Sequence, residues 1–233
     1  MRNLVLSGVA AVTMTVTALT VPTASAATTT DPVPEFDFAD CPALPDGADP
    51  AAWRCEVMIA DGVIDIGRLR GQSLGRLRLT FAEGRLDGEY AQVFGALRTT
   101  AQPLPGAGTV RVEYGGYSDF HANDERFGEI HLRLRLAGPP LPRDCAVGAA
   151  ADPIRFLVQV DGPPQDLPGD PPVRKITVTE TEFAAPATSG CGRFGPLADR
   201  LLGLPAPAGV NALTMTAYVA MRGYAELSAS ATP

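Results

Sequence analysis

The 233 residues contain no C-x-x-C pair, no G-x-S-x-G elbow surrounds Ser118, and histidine occurs only at His121 and His131. Cysteine is sparse too, four in all, and neither histidine lies close to one in sequence. That spacing excludes the usual structural zinc site. Without an elbow around it, nothing in the local sequence holds Ser118 at the strand-to-helix turn of an α/β-hydrolase. No internal repeat is evident, which argues against a solenoid or propeller. Basic charge is short as well: 19 Lys and Arg stand against 26 Asp and Glu, a net charge of −7. This excess of acid argues against nucleic acid as a partner and against a general attraction to anionic membranes.

Long apolar runs are missing except at the start, which reads "MRNLVLSGVAAVTMTVTALTVPTASA". Arg2 supplies a positive n-region, Leu4 to Val21 is uncharged, and Ala24-Ser25-Ala26 is a small-x-small cleavage site. This layout predicts a signal peptide over 1–26, with Ala27 as the first mature residue. A retained anchor is the alternative, since roughly 20 apolar residues span a bilayer. Interrupting threonines and Pro22 just before the cleavage site favour removal, and no transmembrane segment then remains. A lipid anchor needs a cysteine directly after the apolar region, whereas Cys41 lies far along and follows Phe38-Ala39-Asp40. The expected location is secreted or extracellular, with at most a loose hold on the cell wall.

An even number of cysteines in an exported chain predicts disulfides. Three pairings of Cys41, Cys55, Cys145 and Cys191 exist. The local one, Cys41 with Cys55 and Cys145 with Cys191, is favoured. The first pair flanks the short loop "CPALPDGADPAAWRC", and the second pair sits beside small residues at the edges of strand-like runs.

The dominant pattern is period two. In "GEIHLRLRLAG", Ile130, Leu132, Leu134 and Leu136 alternate with Glu129, His131, Arg133 and Arg135. Leu77, Leu79 and Phe81 alternate with Arg76, Arg78 and Thr80; Val110, Val112 and Tyr114 alternate with Arg111 and Glu113. The same pattern recurs through Ile154, Phe156, Val158 and Val160, through Ile176 and Val178, and through Leu213, Met215, Ala217, Val219 and Met221. Each reads as a strand with one buried face. Turn signals stand at Ala60–Gly62, Ala82–Gly84, Leu86–Gly88 and Val160–Gly162, and Pro163–Pro172 reads as a long surface loop. The expected fold is all-β, an antiparallel β-sandwich or barrel with one or two short helices. One helix begins at Asp49-Pro50. The other spans Pro196–Leu202 and ends at Gly203, with Leu197, Leu201 and Leu204 on one side to plug an end of the sheet. Residues 27–35 read as a flexible tether and 36–233 as the β-rich domain, with 138–142 marking the boundary if there are two subdomains.

Four segments, "CPALPDGADPAAWRCEVMIADGVIDIG" (Cys41–Gly67), "CAVGAAADPIRFLV" (Cys145–Val158), "FAAPATSGCG" (Phe183–Gly192) and "LPAPAGVNAL" (Leu204–Leu213), resemble a family of uncharacterised exported proteins of high-GC Gram-positive bacteria. The resemblance implies an exported, disulfide-stapled, β-rich protein. It brings no activity, cofactor or catalytic residue.

Chemistry-bearing side chains concentrate in "YSDFHANDERFGEIH". A hydrolase would use His121 as base, Asp119 or Asp124 to orient it, and Ser118 as nucleophile. A calcium site would draw on Asp119, Asn123, Asp124 and Glu125. A solvated loop explains the same residues, and His131 falls at an outward position and is expected to be wet. Arg76, Arg78, Arg133 and Arg135 would form a basic stripe for a cell-wall polymer if their strands were neighbours; cross-strand pairing with acids is the alternative. No catalytic residue, cofactor or metal is nominated. The expected function is an exported, non-enzymatic structural or binding protein. The alternatives are a carrier of a small hydrophobic ligand, with Met58, Met215 and Met221 lining its cavity, and a secreted hydrolase acting through the His121 loop.

Overall fold

The alternating runs form one antiparallel sheet. A computed structural model describes residues 32–105, 108–124 and 126–230; the expected signal peptide and most of the expected tether, 1–31, lie outside the described residues. The strands are β1 (Trp53–Ile66), β2 (Leu69–Leu86), β3 (Glu89–Thr99), β4 (Gln102–Pro103), β5 (Thr109–Asp119) and β6 (Gly128–Ala137). They continue with β7 (Ala146–Val147), β8 (Ile154–Leu167), β9 (Val173–Glu180), β10 (Thr188–Ser189) and β11 (Ala212–Gly223). Helices α1 (Gly195–Leu202) and α2 (Tyr224–Ser230) complete the fold.

Strand order is β10-β7-β6-β8-β9-β11-β1-β2-β3, with β5 on the other side of β6 and β4 beyond it. The sheet curls into a half-barrel whose two long edges, β3 and β5, face each other. They meet through side chains: Thr99 Oγ1 donates to the Val112 carbonyl at 2.7 Å, and Phe94 stacks on Tyr114 at 3.8 Å. A wrap of about eight strands leaves an interior just wide enough for side chains or one small ligand. Here the inward rows fill it. Ala60, Leu79, Val112, Leu132, Phe156 and Val178 are all buried in one core, and the residual cavity is about 60 Å³ with only apolar residues around it.

The outer face of β1, β2 and β11 is buried as well, at Cys55, Val57, Thr80, Ala82 and Ala220. The segment following Pro34 lies over it. Phe36 and Phe38 pack with Val173, Tyr218 and Ala220, Asp40 forms a two-pronged pair with Arg98, and Cys41 is bonded to Cys55. The fit is close enough that a Cβ on Gly95 of β3 would stand 2.5 Å from the Asp40 carbonyl.

One end of the barrel is closed. Arg68 N donates to Leu202 O at 2.7 Å, and the buried Asn211 accepts from Gly67 N while donating to the carbonyls of Phe183 and Pro207. Helix α1 ends at Gly203, whose φ of 72° suits a residue without Cβ. The plugging face is Leu202 and Leu204. Leu197 and Leu201, expected on the same side, are 54 % and 63 % exposed, because the short helix lies along the barrel end with that stripe outward. The Cys145–Cys191 disulfide ties the loop carrying this plug to β6 and β7.

Several turn signals are absorbed into long strands. β1 runs through Ala60–Gly62, where its register with β2 shifts between Gly62 and Val63, and β2 runs through Ala82–Gly84. β8 passes Val160–Gly162 with a register shift against β9 and continues into the Pro163–Pro172 segment as far as Leu167. β1 and β2 have ladder partners on both sides there and β8 has β9 on one, so a turn-forming tripeptide becomes a bulge or is simply extended. Leu86–Gly88 is a true turn, with positive φ at Asp87 and Gly88. Asp49 caps a single 3₁₀ turn, Pro50–Ala52. Val33–Pro233 is one compact unit, and Gly138–Pro142 is a turn within it.

Both disulfides follow the local pairing. Unreduced, denatured protein is expected to give no maleimide adduct, and peptide mapping should join Cys41 to Cys55. Replacing Cys145 and Cys191 together by alanine should cost about 2–4 kcal/mol in urea unfolding, because the unfolded chain is then no longer looped.

Candidate functional site

The inward rows change character toward the open end of the barrel. On β1 the row that holds Ala60 and Met58 continues to Glu56 and Arg54. On β2, Leu79 and Phe81 are followed by Glu83. Beyond a bulge on β3, Phe94 is followed by Gln92 and Tyr90. Each strand thus turns polar over its last inward positions, and pairing brings the polar ends together, with Arg54 opposite Glu83.

The resulting network is tight. Arg54 donates through Nε to Glu56 at 2.9 Å and through Nη2 to Glu83. Tyr90 donates its hydroxyl proton to Glu83 Oε2 at 2.9 Å and accepts from Gln92 Nε2 at 3.1 Å. The His121 ring stacks on Tyr90 at 4.3 Å. Arg54, Glu56, Glu83, Tyr90 and His121 rim a cleft of about 440 Å³ whose walls are Met58, Phe81, Phe120, Phe127, Ile176, Val219 and Met221. Met58, Phe120, Phe127 and Ile176 also line the small apolar cavity below.

Glu56 is nearly buried, at 7 % exposure. Burial pushes its carboxyl up to about 8, and the hydrogen-bonded, negatively charged Glu83 pushes the same way against the pull of Arg54. Burial, and then Glu83, raise the Tyr90 hydroxyl in turn. The mouth therefore holds one carboxyl, Glu56, that keeps its proton at neutral pH, directly beside Glu83. A cleft carboxyl raised by burial and by a specific charged neighbour is a recurrent mark of a functional site.

The residues singled out in sequence divide. His121 reaches the cleft. Asp119 does not orient its ring: Oδ1 accepts from the His121 main-chain N–H at 3.0 Å, and Oδ2 accepts from Arg126 at 2.6 Å. Ser118 is held in β5 opposite Ile130. Asn123 Oδ1 accepts from Arg126 N, and Glu125 lies outside the described residues. Among the described residues no group of three or more His, Cys, Asp and Glu is placed to hold a metal. His131 faces outward as its position implies, yet it is not wet. Its Nε2 lies 2.8 Å from Glu129 Oε1, and its ring leans on Tyr117 at 4.9 Å. Glu129 also gathers Arg126 and both prongs of Arg155. Burial alone would raise its carboxyl, but the Arg155 and His131 hydrogen bonds and the nearby arginine charges hold it below the ordinary range.

The proposed basic stripe does not form. β2 pairs with β1 and β3, whereas β6 pairs with β5, β7 and β8, so Arg76 and Arg78 lie apart from Arg133 and Arg135. Each has an acid instead: Asp61 for Arg76, Asp37 for Arg78, and Glu113 for both Arg133 and Arg135. Met58 and Met221 line the cleft, and Met215 lines the inner cavity. Glu56, Glu83, Arg54 and Tyr90 carry no motif. Their signal was positional, since the period-two rows through Leu79–Phe81 place Glu83 inward at the next step.

Family models, curated proteins and solved structures were compared with the chain, and none matches. The two disulfides fit an oxidising, extracellular setting, and no helix among the described residues is long and apolar enough to cross a membrane.

Two pH-dependent outcomes follow. Glu56 binds its proton more tightly folded than unfolded, so its contribution to stability is complete below its unfolded value and drains away as pH rises toward about 8. Glu56→Gln should therefore melt near the wild type at pH 5 and several degrees above it at pH 8.5. Glu129 runs oppositely, since its carboxyl is lowered and its contribution is lost as pH falls. Glu129→Gln should cost about 1–3 kcal/mol at pH 7 and much less at pH 3, read by urea unfolding.

Proposed function

We propose that the chain is an exported binding protein that takes a small amphipathic molecule at the mouth of its half-barrel. One observation carries this reading: a cleft of about 440 Å³ with apolar walls and a rim of converging polar groups. Ligand clefts commonly have about 300–1,000 Å³, largely apolar walls and a few placed polar groups. The N-terminal signal pattern and the two staples support export. The interior below is less suited, because about 60 Å³ remains there and a cavity of about 150 Å³ is needed for benzene. A ligand is therefore held at the mouth, not swallowed by the barrel, which refines the carrier alternative.

The hydrolase alternative shifts from His121 to the acid pair. Glu56 and Glu83 are within hydrogen-bonding reach of each other. Carboxyls that flank a glycosidic bond stand at least about 5 Å apart, so this pair leaves no room for a sugar linkage between them. Binding remains the better reading.

Titration with an apolar naphthalene-type fluorescent dye tests it. Wild type should bind the dye, and Val219→Trp, which places an indole in the cleft, should weaken binding about tenfold, a loss of about 1.4 kcal/mol. Arg76→Ala on the outer face should leave it unchanged. Absence of dye binding, or equal affinity in Val219→Trp, would defeat the reading.

A further inference from the structure

The charges around the mouth can be summed strand by strand. β1 brings Arg54 and Glu56, β2 brings Glu83, and β3 brings Tyr90. The connection after β5 brings His121, and β9 brings Arg174. β11 contributes only Val219 and Met221, which are apolar. Arg54 is matched by Glu83, and Arg174 is matched by Asp166, with Nε 3.0 Å from Oδ1. With Glu56 in its acid form and the His121 ring uncharged, the rim has no unmatched charge. An ionised headgroup lowered onto Met58 and Phe120 would lose its water and find no counter-charge, a costly exchange. An uncharged oxygen meets a different prospect. Arg54 has five N–H donors and uses Nε and Nη2 on Glu56 and Glu83, which leaves N–H groups for a ligand oxygen, and the carboxyl oxygens offer lone pairs to a ligand hydroxyl.

We propose that the molecule taken at this mouth is uncharged and carries a carbonyl or hydroxyl oxygen that lodges between Arg54 and Glu56, with its hydrocarbon part on Met58, Phe120, Phe127 and Val219. The inference rests on the binding reading above and names the chemistry of its ligand. It assigns Arg54 and Glu56 to head-group selection, and Tyr90 to holding Glu83 in place beside them. Selection is by charge: a carboxylate is repelled by Glu83, and an ammonium group needs Glu56 to give up its proton first. Raising the pH until Glu56 ionises reverses the preference, because the rim then carries one unmatched negative charge. The neutral oxygen then faces two carboxylates, and a cation gains a partner.

Calorimetric titration of the full chain with three ten-carbon probes, 2-decanone, decanoate and decylammonium, tests this. At pH 6.5 the ketone should bind about tenfold tighter than either ion, a difference of about 1.4 kcal/mol. At pH 9 the ketone should weaken several-fold and decylammonium should overtake it. Glu56→Gln, which keeps the shape and the neutral state, should bind the ketone equally at both pH values. The wild-type pH profile needs no variant, so a misfolded mutant does not leave the proposal untested. Equal or tighter binding of either ion at pH 6.5, or a ketone affinity that ignores pH in the wild type, would overturn it. The dye separates two kinds of failure: if the dye binds and the ketone does not, the ligand class is wrong and the binding site stands. If neither binds, the binding reading falls with it.

Discussion

Two edge strands that would otherwise stand open are brought together by a single seam, and the rest of the structure depends on it. The sheet has more antiparallel strands than it can keep flat, and twist brings β3 round to β5. At the meeting line Thr99 donates across to Val112 and Phe94 lies flat on Tyr114. The seam is made of side chains, so it closes an apolar interior without a complete backbone ladder. If the edges parted, the row from Leu77 to Phe81 would face water and the mouth would have no opposite wall. The seam also places Tyr90 of β3 against His121, which follows β5, so closing the barrel and assembling the rim are one event.

The second constraint is burial on both faces of β1 and β2. An antiparallel sheet normally leaves one face to solvent. Here the outward Cys55 and Val57 are covered by the segment around Phe36–Cys41, which the disulfide holds in place. With both faces dry, the polar residues of the inward row have few waters to lean on. Glu56 responds by keeping its proton, Arg54 and Tyr90 donate to Glu83, and Gln92 donates to Tyr90 while its own Oε1 has no partner. On the outer face of β6, Glu129 is equally buried but surrounded by two arginines and a histidine, and it stays ionised. Burial raises both carboxyls; at Glu56 the Glu83 neighbour adds to it and outweighs Arg54, whereas at Glu129 the arginines and His131 overcome it, so the two glutamates take opposite protonation states.

Much of the fold was legible because its signal is local. The alternation from Ile130 to Leu136 requires only that one side of a strand be dry, and β6 spans it with Ile130, Leu132, Leu134 and Leu136 all buried. Pro196 and Gly203 bound a helix for reasons that involve no neighbour. What misled was also local. Gly62 and Gly84 carry turn chemistry, yet they sit within strands whose partners on both sides extend the ladder past them. His131 alternates outward as expected, but Arg155 stands opposite it across the ladder and Glu129 lies two residues away. An outward position in sequence became part of an ion network in space.

By itself the sequence determined an all-β chain with a dry face on each strand, a pair of local staples and an acidic balance. These follow from residue type and spacing within a few positions along the chain. Tertiary structure alone decided which strands are neighbours. That choice separated Arg76 and Arg78 from Arg133 and Arg135, and it set Arg54 opposite Glu83 with Glu56 two residues along. Whether a glutamate is a solvated surface charge or a buried acid depends on what faces it from another strand. Sequence distance carries no record of that contact.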